Sequence, residues 1–381
     1  MKTVNVIATH FYPEKSAGAN RVTSVVNKLS QCRLVNIIFL TEKGKKADMN
    51  VYKGIFNDNV RLYPVEQNDF PGNKFVSRLI NETIYSLKLN VKNLLIKSDI
   101  SIFSVPYLQL LPVSALFCMF IKRRTVVEIR DIIWLYLDFS GSKLLNKVKK
   151  ILELLCIWSL KQFDALVTVT DSQLEYIGLK GTVIENGIER AKYEELASLK
   201  TKSSGEGFVV TYAGTIGYPQ NLMTFVEAAL LLKNDTRFRF VLAGKGNMLS
   251  DVLEFVNDQG LTNFEYVGEL DWGGMVELYS RSDVLYAQLR DTPSFRTAQP
   301  SKIFEYASTG LPIIFGGLGE CEVIMRKLRG CFSVTPEKPE QVVDALERIY
   351  TVGRQISAEN IEYIGSNYIR ESILNKYDEI I

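Results

Sequence analysis

A single histidine, His10, stands in a chain of 381 residues, which excludes any metal site built from several imidazoles. The five cysteines, Cys32, Cys118, Cys156, Cys321 and Cys331, fall at no metal-ligand spacing and form no framework, so they read as buried free thiols. No apolar run reaches bilayer length. The longest, residues 108–121, contains Gln109 and Pro112 and lies too far inside the chain for a secretory signal, which predicts a protein made and kept in the cytoplasm. Pro/Ser-rich tracts and periodic repeats are also missing, and with 46% hydrophobic residues the chain reads as globular. Net charge is only +2, but it is unevenly spread: 26 basic and 17 acidic residues precede residue 191, leaving 19 and 26 for the remainder. A basic first half suggests an anionic surface, either phospholipid headgroups or nucleic acid. Aromatic residues are not interleaved with the basic ones in any nucleic-acid motif, so a membrane surface is the expected contact and nucleic acid is not.

What the chain does have is length for two cores and a repeated alternation. Apolar strand patterns at residues 3–9, 36–40, 60–63, 100–104, 125–129, 165–170 and 182–185 alternate with helical patterns at 22–29, 75–96, 108–121 and 144–160. Between residues 188 and 207 the strand pattern stops and Ser, Lys and Glu dominate; a second alternation then begins at Phe208. The expected organisation is a domain over 1–190, a linker at 191–207, a domain over 208–357 and a helical tail at 358–381. Strands alternating with helices imply an α/β fold of two tandem Rossmann-like domains, each with a parallel sheet covered on both faces. Ligands of such sheets bind outside the carboxyl ends of the strands.

The chemistry concentrates in residues 299–315. Pro300 suits the first helical turn, Ser301 offers an N-cap oxygen, Gly310 stops the helix, and residues 311–315 form a buried-strand run. In that helix Ser301, Lys302 and Glu305 share one face, while Ile303, Phe304 and Ala307 turn to the sheet. A helix N-terminus with Lys302 and Ser301 suits a phosphate, and one turn later Glu305 can accept hydrogen bonds from two hydroxyls. A nucleoside diphosphate has those parts. The alternative is an exposed amphipathic helix whose Lys and Glu are only solvated.

The run Pro300-Ser301-Lys302-Ile303-Phe304-Glu305-Tyr306-Ala307-Ser308-Thr309-Gly310-Leu311-Pro312-Ile313-Ile314 resembles the donor-nucleotide segment of retaining glycosyltransferases of family four, which have the two-domain GT-B fold. In that family the glutamate matching Glu305 holds the ribose. The wider pattern places a second glutamate eight residues earlier, where this chain has Thr297. The closest likeness is to the branch, common in bacterial capsule and O-antigen clusters, that reads Pro-(Ser/Thr)-Lys before the retained glutamate. The resemblance implies a nucleotide-sugar site in the interdomain cleft and a C-terminal tail that crosses back to the first domain.

Other constellations are weaker alone. Gly214 and Gly217 follow one strand, and Gly244 and Lys245 the next; glycines there let backbone N–H groups approach phosphate, although a glycine after a strand is also an ordinary turn. The family usually carries an Arg and a Lys after the first of these strands, whereas residues 215–222 contain no basic residue. Lys245, Lys302 or Arg296 must then neutralise the diphosphate, with Lys302 ranked first. The stretch from His10 to Arg21 resembles the family's loop after its first strand, with Gly18 matching the glycine that approaches donor phosphates and sugar; it also reads as a turn capping a Rossmann helix. Glu128-Ile129-Arg130-Asp131-Ile132-Ile133-Trp134 resembles the branch's Arg-Asp-(x)-Trp segment, which makes Asp131 the candidate sugar-contacting or acceptor-side carboxylate, against a structural Arg130–Asp131 ion pair. Lys143, Lys147, Lys149 and Lys150 interleave with leucines, either as a basic amphipathic helix lying in a headgroup plane or as a core-facing helix with a lysine-rich solvent face.

The resemblance implies a retaining transferase that moves a sugar from a nucleotide donor, UDP-linked by expectation, to a lipid-linked or saccharide acceptor. Catalytic roles fall to Asp131, Lys302 and Glu305, and donor contacts to Gly18, Gly214, Gly217, Gly244, Lys245, Arg296, Ser301, Lys302 and Glu305. No cofactor and no divalent metal are expected, since such enzymes use none and the chain lacks an Asp-x-Asp motif. The rivals are an epimerase or hydrolase of the same architecture and an inactive nucleotide-sugar-binding subunit, the latter motivated by Thr297.

Overall fold

A computed structural model describes all residues except 15, 43–48, 53, 68–74, 107, 137–142 and 201–206. Lys15 of the first loop, the side chain of Lys143 and residues 201–206 of the expected linker thus lie outside the described residues. The chain divides into two compact units, Met1–Asn186 with Glu371–Ile381, and Gly187–Arg370.

The first unit is built on strands β1 (Thr3–Ala8), β2 (Leu34–Glu42), β3 (Val60–Gln67), β4 (Ile100–Ser104), β5 (Arg124–Glu128), β6 (Ala165–Thr168) and β7 (Thr182–Val183). They pair in parallel in the order β3-β2-β1-β4-β5-β6-β7. The central strands are covered on both faces: β4 is buried along its whole length, and the polar residues Asn36, Asn5 and Ser101 that neighbour one another across β2, β1 and β4 are buried and hydrogen-bonded, Asn36 to Asn5 and both Asn5 and Ser101 to Asn93. β3 alternates between partly buried and exposed residues and holds Pro64, which an edge strand tolerates because one row of its N–H groups pairs with nothing. Helices α1 (Ala17–Ser30), α2 (Phe75–Leu95), α3 (Leu110–Cys118), α4 (Lys143–Leu160) and α5 (Asp171–Ile177) connect them. The strand order reverses between β1 and β4, so the topological switch point is at the end of β1.

The second unit begins with α6 (Arg190–Ala197), which falls inside the stretch expected to be linker. Its strands β8 (Phe208–Ala213), β9 (Phe238–Ala243), β10 (Phe264–Tyr266), β11 (Val284–Gln288), β12 (Ile313–Gly316) and β13 (Cys331–Val334) pair in parallel in the order β10-β9-β8-β11-β12-β13. The helices are α7 (Met223–Leu231), α8 (Leu249–Asp258), α9 (Trp272–Arg281), α10 (Pro293–Arg296), α11 (Lys302–Ser308), α12 (Glu320–Met325), α13 (Pro339–Val352) and α14 (Ala358–Asn367). One face of the sheet packs Phe225 of α7, Val252 of α8 and Leu346 of α13; the other packs Leu278 of α9, Phe304 of α11 and Ile364 of α14. The helical tail expected at 358–381 consists of several pieces: after α14 come two single turns, α15 (Arg370–Ile373) and α16 (Tyr377–Ile380), and from Glu371 onward the chain belongs to the first unit. Lys376 donates to the Val183 carbonyl and pairs with Glu185 (both 3.0 Å), and Asp378 accepts from Arg33 (2.8 Å), fixing that end.

Candidate active site

In the second unit the switch point lies between β8 and β11, where connections leave in opposite directions and open a crevice at the carboxyl ends of the strands. The Lys302 ammonium reaches this point. It donates to the carbonyl of Ala213, the last residue of β8, and lies over the rings of Tyr212 (5.0 Å to the centroid) and Tyr306 (5.6 Å). The Tyr306 hydroxyl accepts from the Ala213 N–H at 3.1 Å, and the Tyr212 hydroxyl donates to the Thr215 carbonyl at 2.5 Å. Both tyrosines are fully buried. Burial pushes the Lys302 ammonium down to about 8 from its ordinary 10.5, and the negative charge of Glu305, one turn along α11, pulls it part of the way back. The cation therefore has a carbonyl and two aromatic faces for partners; among the described residues it closes no ion pair, and a desolvated cation so placed favours an anion.

The other basic residues nominated from sequence already hold carboxylates. Arg296 grips Asp291 in a bidentate pair at 2.6 and 3.0 Å, and Lys245 pairs with Glu269 at 2.7 Å on the surface. The N-cap expectation for α11 needs correction. Ser301 occupies the cap position in helical conformation and its side chain makes no capping bond. The Ile303 and Phe304 N–H groups turn to the carbonyls of Pro300 (3.2 Å) and Ser301 (3.1 Å), a tight 3₁₀ entry that consumes donors a phosphate would have used.

The strand-end glycines are close-packed loop to loop. The Gly214 N–H donates to the Ala243 carbonyl (2.9 Å), that of Gly244 to Gly268 (2.8 Å) and that of Ile216 to Lys245 (2.9 Å). A Cβ at Gly244 would strike the backbone of Gly214, and one at Gly246 that of Ile216. Gly217 sits at the turn into α7, its carbonyl accepting from the Gln220 N–H at 3.1 Å. Thr297 is buried at the end of α10, its hydroxyl donating to the Ser294 carbonyl at 3.1 Å. Sequence reasoning missed the aromatic surroundings of Lys302. The signal was present in a tyrosine two residues before Gly214 and another four after Lys302. Tyr279 was missed too: fully buried, it meets the Tyr306 ring edge to face at 5.7 Å.

In the first unit, Gly18 lies in the opening turn of α1, capped by the Ser16 hydroxyl accepting from Ala19 N–H (3.1 Å). The Gly18 carbonyl accepts from the Arg130 guanidinium at 2.9 Å, so Arg130 turns to α1 and closes no ion pair with Asp131. Asp131 follows β5 and is exposed, yet desolvation by the surrounding protein raises its carboxyl from the ordinary value, against the pull of Arg130 and a hydrogen bond from Tyr136. Beneath lies an ion pair that sequence reasoning did not find. Arg21 contacts Glu128 at 3.0 Å with side chains 3% and 2% exposed, and its remaining donors reach the carbonyls of Glu185 (2.6 Å) and Ile184 (2.9 Å). His10 pairs with Glu14 at 2.8 Å.

Two Rossmann-like units with parallel sheets and a terminal segment returning to the first define the GT-B architecture. Solved structures share it over almost their full lengths. Sucrose-phosphate synthase from Thermosynechococcus elongatus is 12% identical with a TM-score of 0.78, covering 100% of this chain and 98% of that one. Trehalose-6-phosphate from E. coli bound with UDP-2-fluoro glucose is 12% identical with a TM-score of 0.74, covering 99% and 98%. Anabaena HepE in complex with UDP and glucose is 11% identical with a TM-score of 0.70, covering 100% and 99%. At such identities the likeness establishes the fold. Residues 207–351 match the family described as Glycosyl transferases group 1, a stretch that contains β8, α11 and the Lys302 site. No curated protein matches the chain.

Proposed function

We propose that the protein is a retaining glycosyltransferase that takes a sugar from a UDP-sugar and passes it to a lipid-linked or saccharide acceptor in surface-polysaccharide (capsule or O-antigen) assembly. The observation that carries this reading is the Lys302 ammonium, desolvated at the end of β8 with Glu305 one turn away. Lys302 receives the diphosphate and stabilises it as leaving group, and Glu305 accepts hydrogen bonds from the ribose diol. The family match over this segment and the UDP ligands of the HepE and trehalose-6-phosphate structures support the donor class. Retention and the pathway rest on the resemblance of residues 300–314 to family four. In that route the departing diphosphate takes the acceptor proton, so no protein base poised near neutral pH is needed. Asp131 is the acceptor-side carboxylate of the first unit, and no metal takes part.

Thermal-shift screening against UDP-, GDP-, ADP- and dTDP-sugars tests the donor, because a ligand at a hundredfold excess over Kd raises stability by about 2.7 kcal/mol. A shift with UDP-sugars and none with the others is expected; no shift with any of them removes the reading. Turnover with a polyprenyl-diphosphate-linked saccharide, with the anomeric configuration of the product assigned by NMR, tests the reaction. Asp131→Asn is expected to lower kcat with little change in UDP affinity. Thr297 favours one second reading, an inactive nucleotide-sugar-binding subunit, because its buried hydroxyl carries no charge where the wider pattern has a carboxylate. UDP binding without turnover would select it.

A further inference from the structure

Helices α2, α3 and α4 lie side by side on one face of the first sheet, and their outward surfaces are apolar. On α2, Ile80, Ile84, Leu87, Val91 and Leu95 recur every three or four residues and are all exposed, Leu95 at 76%. They lie opposite the buried Tyr85, Ser86, Leu89 and Asn93. Beside them Leu116, Met119 and Phe120 project at the end of α3, Phe120 at 82% exposure. On α4 the outward stripe is Leu144, Val148, Ile151, Leu155 and Trp158, with Leu144 at 71%. Cys156, Ser159 and Leu160 are the residues that α4 buries, so the leucine-rich side is not its core side. Singly exposed apolar residues are ordinary, but three adjacent helices with aligned outward stripes are not.

The charge on the same elements is one-sided. Residues 75–95, 110–118 and 143–160 contain seven Lys and Arg against Glu82 and Glu153. Both acids are engaged, Glu82 with Arg78 at 2.7 Å and Glu153 with the Tyr176 hydroxyl at 2.7 Å. Between α2 and the edge strand β3 an open apolar groove of about 450 Å³ runs along Val65, Ile84 and Val91, with Lys88 and Lys92 on its wall. The tail residues 374–376 pack against α1.

We infer that the outward face of α2, α3 and α4 is a docking surface for an anionic phospholipid bilayer, on which the protein lies with α2 and α4 in the headgroup plane. Apolar stripes enter the acyl boundary while the flanking lysines meet lipid phosphates, which is how an amphipathic basic helix binds in plane. No helix among the described residues is long and apolar enough to cross a membrane, so the face lies on the bilayer. A second copy of the chain fits the same surface poorly, because a two-fold contact sets this excess of positive charge against itself.

The inference goes beyond the donor reading, and its test needs neither donor nor acceptor. Co-sedimentation of the full chain is measured with phosphatidylcholine vesicles, pure or doped with phosphatidylglycerol, at low and high salt. Binding to the doped vesicles at least tenfold tighter than to pure phosphatidylcholine, and weakened by salt, is expected. Leu144→Asp with Ile151→Asp on α4, and separately Ile84→Asp with Val91→Asp on α2, should each reduce binding tenfold or more with the melting temperature retained. These sites are exposed, so the fold has no reason to change; if an Asp pair does unfold the chain, Lys147→Glu with Lys150→Glu replaces it with the same expected loss. Absence of binding, equal binding to neutral vesicles, or loss with the α4 pair but not the α2 pair would overturn the three-helix surface. So would a dimer in light scattering that the same substitutions disperse.

Discussion

The Lys302 ammonium occupies the space that a Cβ on Gly214 would need, and Gly214 holds φ at +144°, outside the range of ordinary side chains. Gly214→Ala must therefore strain the backbone and dislodge the cation together, the first at a cost of about 1–3 kcal/mol. We expect a lower melting temperature and UDP affinity reduced at least tenfold. Calorimetric titration checks both; unchanged affinity would show that Lys302 does not hold the diphosphate.

Because burial pushes the Lys302 ammonium down to about 8, an anion bound beside it should raise that value and draw a proton from solution. Titrating UDP near pH 8 in two buffers of different ionisation enthalpy should reveal proton uptake that Lys302→Met abolishes. The stability effect has a definite sign. The folded value lies below the ordinary 10.5, so between about 8 and 10.5 the unfolded chain holds a proton that the folded one lacks, and this group's contribution to stability increases with pH across that window. Urea midpoints of wild type and Lys302→Met should accordingly diverge in favour of wild type as pH rises through it. A constant difference would mean that Lys302 titrates normally.

Glu305→Ala should weaken UDP binding at least tenfold, since each charge-assisted hydrogen bond to a ribose hydroxyl contributes about 1.5–3 kcal/mol. The same substitution should leave the affinity of 2′,3′-dideoxy-UDP nearly unaltered, because that ligand has no diol to lose. Equal losses for both ligands would reassign Glu305 to holding Lys302 or the helix.

Arg21 and Glu128 form an ion pair removed from solvent, where breaking one side leaves a charge uncompensated. Arg21→Ala is expected to destabilise the first unit by about 3–5 kcal/mol, and the double substitution Arg21→Met with Glu128→Leu to recover much of that. Chemical denaturation of the two variants decides it; equal destabilisation by both would mean that packing, not charge, governs the position.

The sequence by itself determined the alternation of strand and helix, and hence two parallel sheets with their loops gathered at the carboxyl ends. It also determined the spacing that sets Lys302 and Glu305 one turn apart. These are short-range properties, carried by periodicity, turn residues and the three-residue step of a helix. Helices α5 and α6 escaped although α11, read from the sequence, is no longer than α5; for α5 the signal was the capping Thr170 and the closing Gly178. Tertiary structure decided the partners. Lys302 meets Ala213 across 89 residues and Arg21 meets Glu128 across 107, contacts that exist only because β8 borders β11 and the end of β1 borders that of β5 through β4. It also decided that Gly214 and Gly244 are small for each other's sake, their loops packed backbone on backbone. On α4 the sequence offers apolar residues around most of the helix and cannot say which stripe meets the sheet. The structure turns Cys156 and Leu160 inward and leaves Leu144, Val148 and Ile151 outside, because a helix is oriented by the neighbours it packs against and not by its own pattern alone.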